Sequence, residues 1–505
     1  MPAKIFSAEL EGIEAKEIEV EVDLGVGLHS FNIVGLADKA VNEAKERVNS
    51  ALKNSAIKPP TRENRRITVN LAPAHIQKNG SQYDLAIALG YLAATGQIKE
   101  FDAKNKIIIG ELALDGALRP INGSLNIAEL ARRSGKNFLL LPKENAAEAA
   151  AVSGIKVIGL SSLKEAIQYL EGVLDIEPAK FSPAPQRISG STDFSEIKGQ
   201  HQAKRAALIA AAGGHNLLMV GPPGSGKSML ANAISGILPR LTTEEAIAIT
   251  KIYSAAGMSP GTLIGHRPFR SPHQTASAVS IVGGGTNPKP GEVSLAHRGV
   301  LFLDELPEFQ RNILEALRAP LESGVVHVAR AKGTLAFPAK FTLVAAMNPC
   351  PCGYFGDPEK ECRCGAHEVL RYQNKISGPL LDRIDLQVKV PRTKVRELRA
   401  ETATEEKRSE KLRAQVELAR SLQAKRFAGT TLVCNSEMSG KQAEHFANLE
   451  PEAEKFLAGL DRTKISPRGY YRLLKTARTI ADLEQKEKTS AGDLLEAWGY
   501  RFKDA

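Results

Sequence analysis

Residues 216–228 read NLLMVGPPGSGKS, and this stretch decides the fold of the chain around it. The apolar run 216–220 has the length of a buried strand, and residues 229–238 continue with the spacing of a helix. Between them lies the pattern GxxxxGK[ST], in the strand–loop–helix setting that a phosphate-binding loop needs. The predicted nucleotide-binding residues are Gly221, Pro222, Pro223, Gly224, Ser225, Gly226, Lys227 and Ser228.

The residue types in this P-loop fit a nucleoside triphosphate. Glycines let the backbone N–H groups point inward at phosphate, and the following helix adds its positive N-terminal end. By the general chemistry of such loops, Lys227 reaches the β- and γ-phosphates and Ser228 ligates Mg²⁺. We therefore expect ATP and Mg²⁺ as cofactors.

Two further strand ends supply polar groups for hydrolysis. Residues 299–305, GVLFLDE, form an apolar strand that ends in two carboxylates. Asp304 is predicted to hold Mg²⁺ through water, and Glu305 to polarise the attacking water. Asn348, after the apolar run 341–347, is predicted to orient that water. The alternatives are a plain turn after the first strand and a simple strand-end cap at Asn348.

Two arginines are candidates for stabilising charge on the γ-phosphate. Arg383 lies within residues 378–385, GPLLDRID, and is predicted to act as an arginine finger on a neighbouring subunit. A contact of that kind closes a ring when it repeats. Arg468 opens a C-terminal helix in residues 466–469, SPRG, and is predicted to reach the γ-phosphate from a lid. An intrachain salt bridge for Arg383 and a plain surface position for Arg468 are the alternatives.

Four of the five cysteines form two closely spaced pairs, Cys350 with Cys352 and Cys362 with Cys364. Two such thiolate pairs can complete a tetrahedral Zn²⁺ site, so we expect a structural zinc ion. A redox pair and reduced cysteines without metal are the alternatives. Cys434 stands alone and is expected to be buried.

Composition excludes several classes of protein. The chain has 505 residues, of which 43% are hydrophobic and 25% charged, so it is neither wholly disordered, collagen-like nor a small disulfide scaffold. No apolar run reaches the ~18 residues that span a bilayer, and the first residues lack the apolar core of a signal peptide. We therefore expect a cytoplasmic protein with no membrane partner. The net charge of +10 permits a nucleic-acid partner without requiring one.

Changes in composition and in the periodicity of apolar residues along the chain predict its domains. Residues 1–175 have an α/β pattern, and the proline-containing stretch 176–192 is predicted to be a linker. Strands and helices alternate again over 193–393, the predicted ATPase core with its loop inserts and cysteines. Residues 394–505 are predicted to form a helical lid, beginning with a long mixed-charge helix over 395–427.

Several motifs together resemble one family. They are IKGQ at 197–200, RPFRSPH at 267–273, GGG at 283–285 and MNPCPCG at 347–353, in this order around the P-loop and the acidic strand. The chain resembles the YifB/ComM family, in the magnesium-chelatase-like branch of the AAA+ ATPases. This likeness implies an α/β fold with an AAA+ P-loop ATPase core and a C-terminal helical lid.

The resemblance also implies a function. The family is expected to form a hexameric ring of identical subunits that hydrolyses ATP on single-stranded or branched DNA. The resemblance to the family members that act in competence implies that this chain is a helicase that promotes branch migration during natural transformation. The alternative is a chelatase-type motor subunit that remodels a protein partner without DNA. A non-motor scaffold is disfavoured by the intact Lys227, Ser228, Asp304 and Glu305.

For the N-terminal domain the resemblance implies a fold like that of Lon protease and ribosomal protein S5. Lon proteases need a serine with a lysine as its base. Here Gln82 stands where the nucleophile is expected and Leu125 where the lysine is expected. We therefore predict no peptidase activity and a role in DNA binding or ring assembly.

Two basic inserts are candidate DNA contacts. The insert 258–289 carries Arg267, Arg270 and His273 among glycines and prolines. A hairpin predicted over 325–335 carries basic side chains near its tip. The tip residues are Arg330 and Lys332. Such groups suit phosphate contacts, which give affinity without sequence specificity. Solvated basic loops are the alternative.

Overall fold

The computed structural model describes residues 2–183, 192–285, 288–330, 333–393, 408–460 and 465–501. The chain divides into two compact units. The first combines Met1–Pro185 with Thr243–Gly265, and the second combines Gln186–Thr242 with His266–Ala505. Within the described ranges, no helix has both the length and the apolar character needed to cross a membrane.

The first unit is an α/β structure with two sheets and a short ribbon. Its strands are β1 (Ala3–Glu11), β2 (Glu14–Val26), β3 (Ser30–Val34), β4 (Arg65–Ala72), β5 (Lys106–Ile108), β6 (Glu111–Leu112), β7 (Leu118–Arg119), β8 (Phe138–Pro142) and β9 (Lys156–Leu160). One sheet has the order β1-β2-β4-β3, with only β3 and β4 parallel. The strands β5, β8 and β9 form a parallel sheet, and β6 pairs with β7.

Side-chain alternation explains the core of this unit. In β4 the buried residues are Ile67, Val69 and Leu71, because alternate side chains of a strand point to the same face. They share a core with the helix Asp84–Thr95, which ends at Gly96 in a left-handed conformation (φ +67°). The helical segments of the unit are Lys39–Asn42, Ala44–Asn54, Pro60–Arg62 (3₁₀), Asp84–Thr95, Ser124–Arg133, Lys143–Ala149, Leu163–Leu170 and Thr243–Ala256.

The last of these helices, Thr243–Ala256, comes from the middle of the predicted ATPase core. It packs on the helix Ser124–Arg133, where Lys251 forms an ion pair with Glu129. The Oγ atom of Ser254 accepts a hydrogen bond of 3.0 Å from the N–H of Gly123. The compact units therefore do not follow the sequence divisions at 175, 192 and 393, because this segment is built into the N-terminal unit.

The second unit contains the P-loop and the helical C-terminal part. Its strands are β10 (Leu217–Val220), β11 (Phe269–Arg270), β12 (Gly283–Gly284), β13 (Lys289–Pro290), β14 (Val300–Leu303), β15 (Val325–Arg330), β16 (Gly333–Pro338), β17 (Thr342–Met347) and β18 (Leu386–Lys389). The central sheet is parallel, in the order β11-β14-β17-β10-β18. Antiparallel pairing joins β12 to β13 and β15 to β16.

This sheet lies inside the unit. Every residue of β14 and of β17 is buried, as expected for parallel strands covered on both faces. The helical segments around it are His201–Gly213, Lys227–Ile237, Ala278–Val282, Glu292–Leu295, Leu306–Glu308 (3₁₀), Arg311–Ala316, Arg318–Ser323, Ala366–Gln373 and Gly378–Leu381.

The C-terminal part of the second unit is helical. Its segments are Arg408–Arg426, Asn435–Glu437 (3₁₀), Gly440–Ala447, Pro451–Gly459, Pro467–Leu483 and Ala491–Gly499. Ser466 caps the helix Pro467–Leu483 by accepting a hydrogen bond from the N–H of Gly469. Inside this part, Arg426 and Arg478 both pair with the fully buried Asp482. A buried carboxylate needs such partners, because an isolated charge is costly away from water.

Two predicted elements fall partly outside the described residues. The helix predicted over 395–427 is observed as Arg408–Arg426, and residues 394–407 are not described. The hairpin predicted over 325–335 is formed by β15 and β16, and its tip residues 331–332 are not described.

We predict that Arg47→Met destabilises the first unit. Its Nε atom donates to the fully buried carboxylate of Asp84 at 2.6 Å, and removing one partner of a buried pair costs about 3–5 kcal/mol. Amide hydrogen exchange of the helix Asp84–Thr95 in the full chain measures this loss. The control is Arg133→Met, whose pair with Glu14 is exposed and whose effect is expected below about 1 kcal/mol. Equal exchange in both variants would contradict the prediction.

Candidate active site

The P-loop joins β10 to the helix Lys227–Ile237 and wraps tightly. Gly224 and Gly226 have φ angles of +75° and +87°, which a residue without a Cβ adopts easily. Lys227 is buried, and its Nζ donates to the carbonyl oxygens of Gly221 at 2.7 Å and Pro222 at 2.9 Å. Burial lowers the pKa of Lys227, and the nearby acids Asp304 and Glu305 oppose that shift.

The carboxyl ends of three neighbouring strands meet beside this lysine. The strands β14, β17 and β10 are adjacent and parallel, so the residues that follow them lie at one sheet edge. The Oγ atom of Ser228 donates to Oδ2 of Asp304 at 2.7 Å, and Nζ of Lys227 lies 3.3 Å from Oδ1 of Asn348. The structure thus brings together residues that sequence analysis took from separate segments.

Glu305 has an unusual backbone. It adopts a left-handed conformation, with φ +51°, although it is not glycine. Such conformations cost free energy in a residue with a side chain and persist where the surroundings enforce them. Its side chain is exposed, while its N–H donates to Oδ1 of Asp304 at 2.9 Å. The two acids thus differ: Asp304 faces Ser228, and Glu305 is open to water.

Ser228 and Asp304 suit Mg²⁺. Both present oxygen atoms, which Mg²⁺ prefers as ligands, and they face each other across the P-loop.

A cavity of about 1130 Å³ opens beside the P-loop. Gly221 and Pro222 line it on the P-loop side, together with Gln200 from the segment before the helix His201–Gly213. The cavity is large enough for a drug-sized ligand, for which pockets are ~300–1,000 Å³. It therefore offers space for the nucleoside part of a nucleotide whose phosphates lie on the loop.

Arg383 and Arg468 converge on one carboxylate of the same chain. Glu322, in the helix Arg318–Ser323, pairs with both guanidinium groups, and its Oε1 lies 3.0 Å from NH2 of Arg468. The hydrogen bond from Arg383 is the main cause that lowers the pKa of Glu322. Arg383 is buried, and within the described part of the chain its Nε has no hydrogen-bond partner. The intrachain salt bridge that the sequence left open is therefore present.

Glu322 and Asp385 are site residues that no sequence pattern predicted. Asp385 accepts a hydrogen bond of 3.0 Å from the N–H of Asn216, before β10, and lies 3.3 Å from Nε of Arg472 on the helix Pro467–Leu483. Burial alone would raise the pKa of Asp385, but His215 and Arg472 lower it to about 2. This carboxylate therefore ties the Arg383 segment to the P-loop strand and to the C-terminal helices. The only sequence signal was its position in the acidic motif around Arg383.

The four paired cysteines lie together. The Sγ atoms of Cys350, Cys352, Cys362 and Cys364 all lie within 4.8 Å of one another. Cys350 is buried and the other three are half-buried. The sequence spacing thus corresponds to one cluster of four sulfurs, which begins two residues after Asn348, beyond the end of β17. Cys434 is buried elsewhere, as expected.

The candidate DNA residues have different surroundings. Arg267 donates to three backbone carbonyl groups, and Arg270 pairs with Glu292 at 2.6 and 2.7 Å. These contacts give no support to DNA binding by either arginine, because their guanidinium groups are committed within the chain. His273 is exposed and bonds to Thr275. The Arg330 side chain and the whole of Lys332 lie outside the described residues.

Three protein-family models, all of magnesium chelatase, match successive parts of the amino-acid sequence. The model for "Subunit ChlI of Mg-chelatase" matches residues 20–145, and that for "Magnesium chelatase, subunit ChlI" matches residues 193–398. The model for "Magnesium chelatase, subunit ChlI C-terminal" matches residues 406–501.

Several relatives match nearly the full length of the chain, and another matches less than half of it. Competence protein ComM of Haemophilus influenzae is 42% identical over 508 residues, which cover 99% of this chain and 97% of that protein. The chain belongs to the YifB/ComM family of magnesium-chelatase-like proteins. YifB of Escherichia coli is 42% identical over 495 residues, covering 98% of this chain and 96% of YifB. The magnesium-chelatase 38 kDa subunit of Cereibacter sphaeroides is 27% identical over 230 residues, covering 42% of this chain and 62% of that subunit.

Family membership explains the architecture. This YifB/ComM family chain is an α/β protein with a ChlI-type N-terminal domain, an AAA core on a parallel sheet and a C-terminal helical domain. An AAA core of this type implies an ATPase that uses ATP and Mg²⁺.

We predict that Glu305→Gln keeps ATP binding but loses turnover. The amide cannot accept a proton from water, and loss of such a base costs about 10²–10⁴ in rate. Steady-state ATP hydrolysis and equilibrium binding of a fluorescent ATP analogue measure the two effects. Glu308→Gln is the control, because Glu308 lies on the same turn but pairs with Lys375. Turnover of Glu305→Gln within about twofold of the unmodified chain would contradict the role.

Proposed function

We propose that this chain is a cytoplasmic ring motor that hydrolyses ATP and acts on DNA, as a helicase that promotes branch migration during recombination or natural transformation. The observation that carries the proposal is the assembled nucleotide site in a chain that matches Competence protein ComM over 97% of that protein. The DNA substrate is single-stranded or branched. The cofactors are ATP, Mg²⁺ and a structural Zn²⁺ ion at the four cysteines.

The residues at the sheet edge divide the work of hydrolysis. Ser228 and Asp304 would hold Mg²⁺, which would supply positive charge that offsets the negative phosphates. Lys227 binds the β- and γ-phosphates. Phosphate oxygens then replace the carbonyl oxygens of Gly221 and Pro222 as acceptors for its ammonium group. Glu305 takes a proton from the attacking water, and Asn348 orients that water. Because its side chain is exposed, Glu305 is better placed to accept a proton from water than to bind Mg²⁺.

We infer a ring, expected to be hexameric, in which arginines complete the site of a neighbour. Arg383 is the proposed finger, and Arg468 is proposed to reach the γ-phosphate from the lid. Their shared partner Glu322 would release them when a phosphate competes for the guanidinium groups. The unpartnered Nε of the buried Arg383 supports a further acceptor.

DNA contacts are proposed for the β15–β16 hairpin, with Arg330 and Lys332 at its tip, and for His273. Positive side chains in this segment of the sequence suit contacts with the phosphate backbone, and His273 is exposed. Arg267 and Arg270 are proposed to support the insert rather than to touch DNA, because their partners lie within the chain.

The N-terminal unit is proposed to keep an S5-like fold without peptidase activity. Nε2 of Gln82 donates to the carboxylate of Glu9 at 3.0 Å, and Leu125 is fully buried. Neither residue supplies a nucleophile or a base. A role in DNA binding or ring assembly is the remaining proposal.

A second candidate is a chelatase-type motor that remodels a protein partner without DNA. It is favoured by the match of all three ChlI models. The two candidates differ in the response of ATP turnover to DNA.

We predict that forked DNA stimulates ATP turnover and binds in a salt-dependent manner. Arg330→Ala with Lys332→Ala should lower the slope of log K against log salt by about two, because two phosphate contacts are lost. Fluorescence anisotropy at several salt concentrations measures this slope. The control is Lys441→Ala with Lys455→Ala, which removes the same charge from exposed C-terminal positions. No stimulation by any DNA and no salt-sensitive binding would favour the chelatase-type motor.

We predict that mixing two inactive variants restores ATPase activity if Arg383 acts on a neighbour. In a 1:1 mixture of Arg383→Ala and Glu305→Gln, about a quarter of the sites have an intact base and an intact neighbouring arginine. A mixture of Lys227→Ala with Glu305→Gln is the control, since both changes damage the site in its own subunit. No recovery in mixed rings confirmed by light scattering would contradict a finger in trans.

A further inference from the structure

The cysteine cluster has the dimensions of a metal site. The Sγ of Cys350 lies 3.3 Å from that of Cys352 and 3.7 Å from that of Cys362, and Cys352 and Cys362 are 3.6 Å apart. Four thiolates around Zn²⁺ at ~2.3 Å are separated by about 3.8 Å, whereas a disulfide requires ~2.05 Å. The four sulfurs therefore fit a tetrahedral ion better than a covalent pair.

The chemistry of the donors also selects the ion. Soft thiolates bind Zn²⁺ in preference to Mg²⁺ or Ca²⁺, which take oxygen ligands. All four positions are filled by the chain, as in structural rather than catalytic zinc sites.

The segment between the two cysteine pairs is held mainly by polar contacts within the loop and with Arg392. Residues 353–361 contain no helix or strand, and Phe355 is half exposed. The Nζ atom of Lys360 lies 3.9 Å from the ring centre of Tyr354, and Asp357 lies 3.6 Å from Arg392. Contacts of this kind bury little apolar surface, so a metal cross-link would add to the stability of one loop conformation.

This loop forms a wall of the cavity beside the P-loop. Phe355, Gly356 and Asp357 line the same cavity as Gly221 and Pro222. The loop also touches the P-loop directly. A Cβ added at Gly353 would lie 2.5 Å from Cδ of Pro223, so Gly353 packs against that proline. A displacement of the loop therefore changes both the shape of the cavity and the support of the phosphate-binding backbone.

We propose that a structural Zn²⁺ ion at Cys350, Cys352, Cys362 and Cys364 holds the 353–361 loop as a wall of the nucleotide cavity, so that metal occupancy sets the affinity for ATP. The proposal rests on the proposed function in one respect, namely that the cavity receives the nucleoside part of ATP. It assigns no step of hydrolysis to the metal. Loss of zinc releases the loop from the end of β17, and the cavity loses one of its walls.

The first measurement is the metal content of the purified full chain. Elemental mass spectrometry should find about one zinc ion per chain in the unmodified protein. The control variant Cys434→Ser, which removes the fifth cysteine, should contain the same amount. Cys362→Ser with Cys364→Ser should contain none, and Cys362→His should retain zinc, because imidazole is also a zinc ligand. An unmodified chain without zinc would overturn the proposal.

The second measurement is equilibrium binding of a fluorescent ATP analogue. The Kd should rise at least about tenfold when a chelator removes the zinc, and added Zn²⁺ should restore it. Removal and return of zinc in the unmodified chain tests the coupling even if the double serine variant fails to fold, and Cys362→His should keep both its zinc and its Kd. An unchanged Kd in folded, zinc-free chain would overturn the coupling. A zinc-loaded chain that binds no nucleotide would instead refute the proposed function, so the two failures are distinguishable.

Discussion

The hydrogen bonds of the Lys227 ammonium group hold together the site on which the rest of the second unit depends. They join the carbonyl oxygens of Gly221 and Pro222 to Asn348, which follows a different strand. A buried ammonium group is costly unless it is paired: burial lowers the pKa of Lys227, and Asp304 and Glu305 oppose that shift. The parallel sheet makes this arrangement available, because it places the ends of β10, β14 and β17 at one edge.

Carboxylates connect this edge to the C-terminal helices. Asp385 joins the start of β10 to Arg472, and Glu322 receives both Arg383 and Arg468. In the proposed mechanism, a phosphate that competes for Arg383 and Arg468 would also change the contact between Glu322 and the helix Pro467–Leu483. Such a change would couple the nucleotide site to the C-terminal helices.

The two units use buried polar groups in different ways. In the N-terminal unit, Glu9 accepts hydrogen bonds from Tyr83 and Gln82, and burial raises its pKa to about 7. These groups satisfy one another's hydrogen bonds. In the ATPase unit, Glu305 stays exposed while its neighbour Asp304 is engaged by Ser228. Satisfied polar groups stabilise a fold, whereas an open carboxylate beside a phosphate site is available for chemistry.

The sequence by itself determined the parts whose chemistry is local: the P-loop, the acidic strand and the paired cysteines. Their spacing along a few residues is enough, because glycine conformations, strand ends and thiolate pairs act over short distances. Only the tertiary structure decided which distant groups meet. It joined Glu322 to two arginines, placed the helix Thr243–Ala256 in the N-terminal unit and set the cysteine loop against the cavity beside the P-loop. It also gave Arg267 intrachain partners where a DNA contact was expected. Contacts between residues far apart in the chain depend on how helices and strands pack together. The spacing of residues along the sequence does not give the distance between them in the fold.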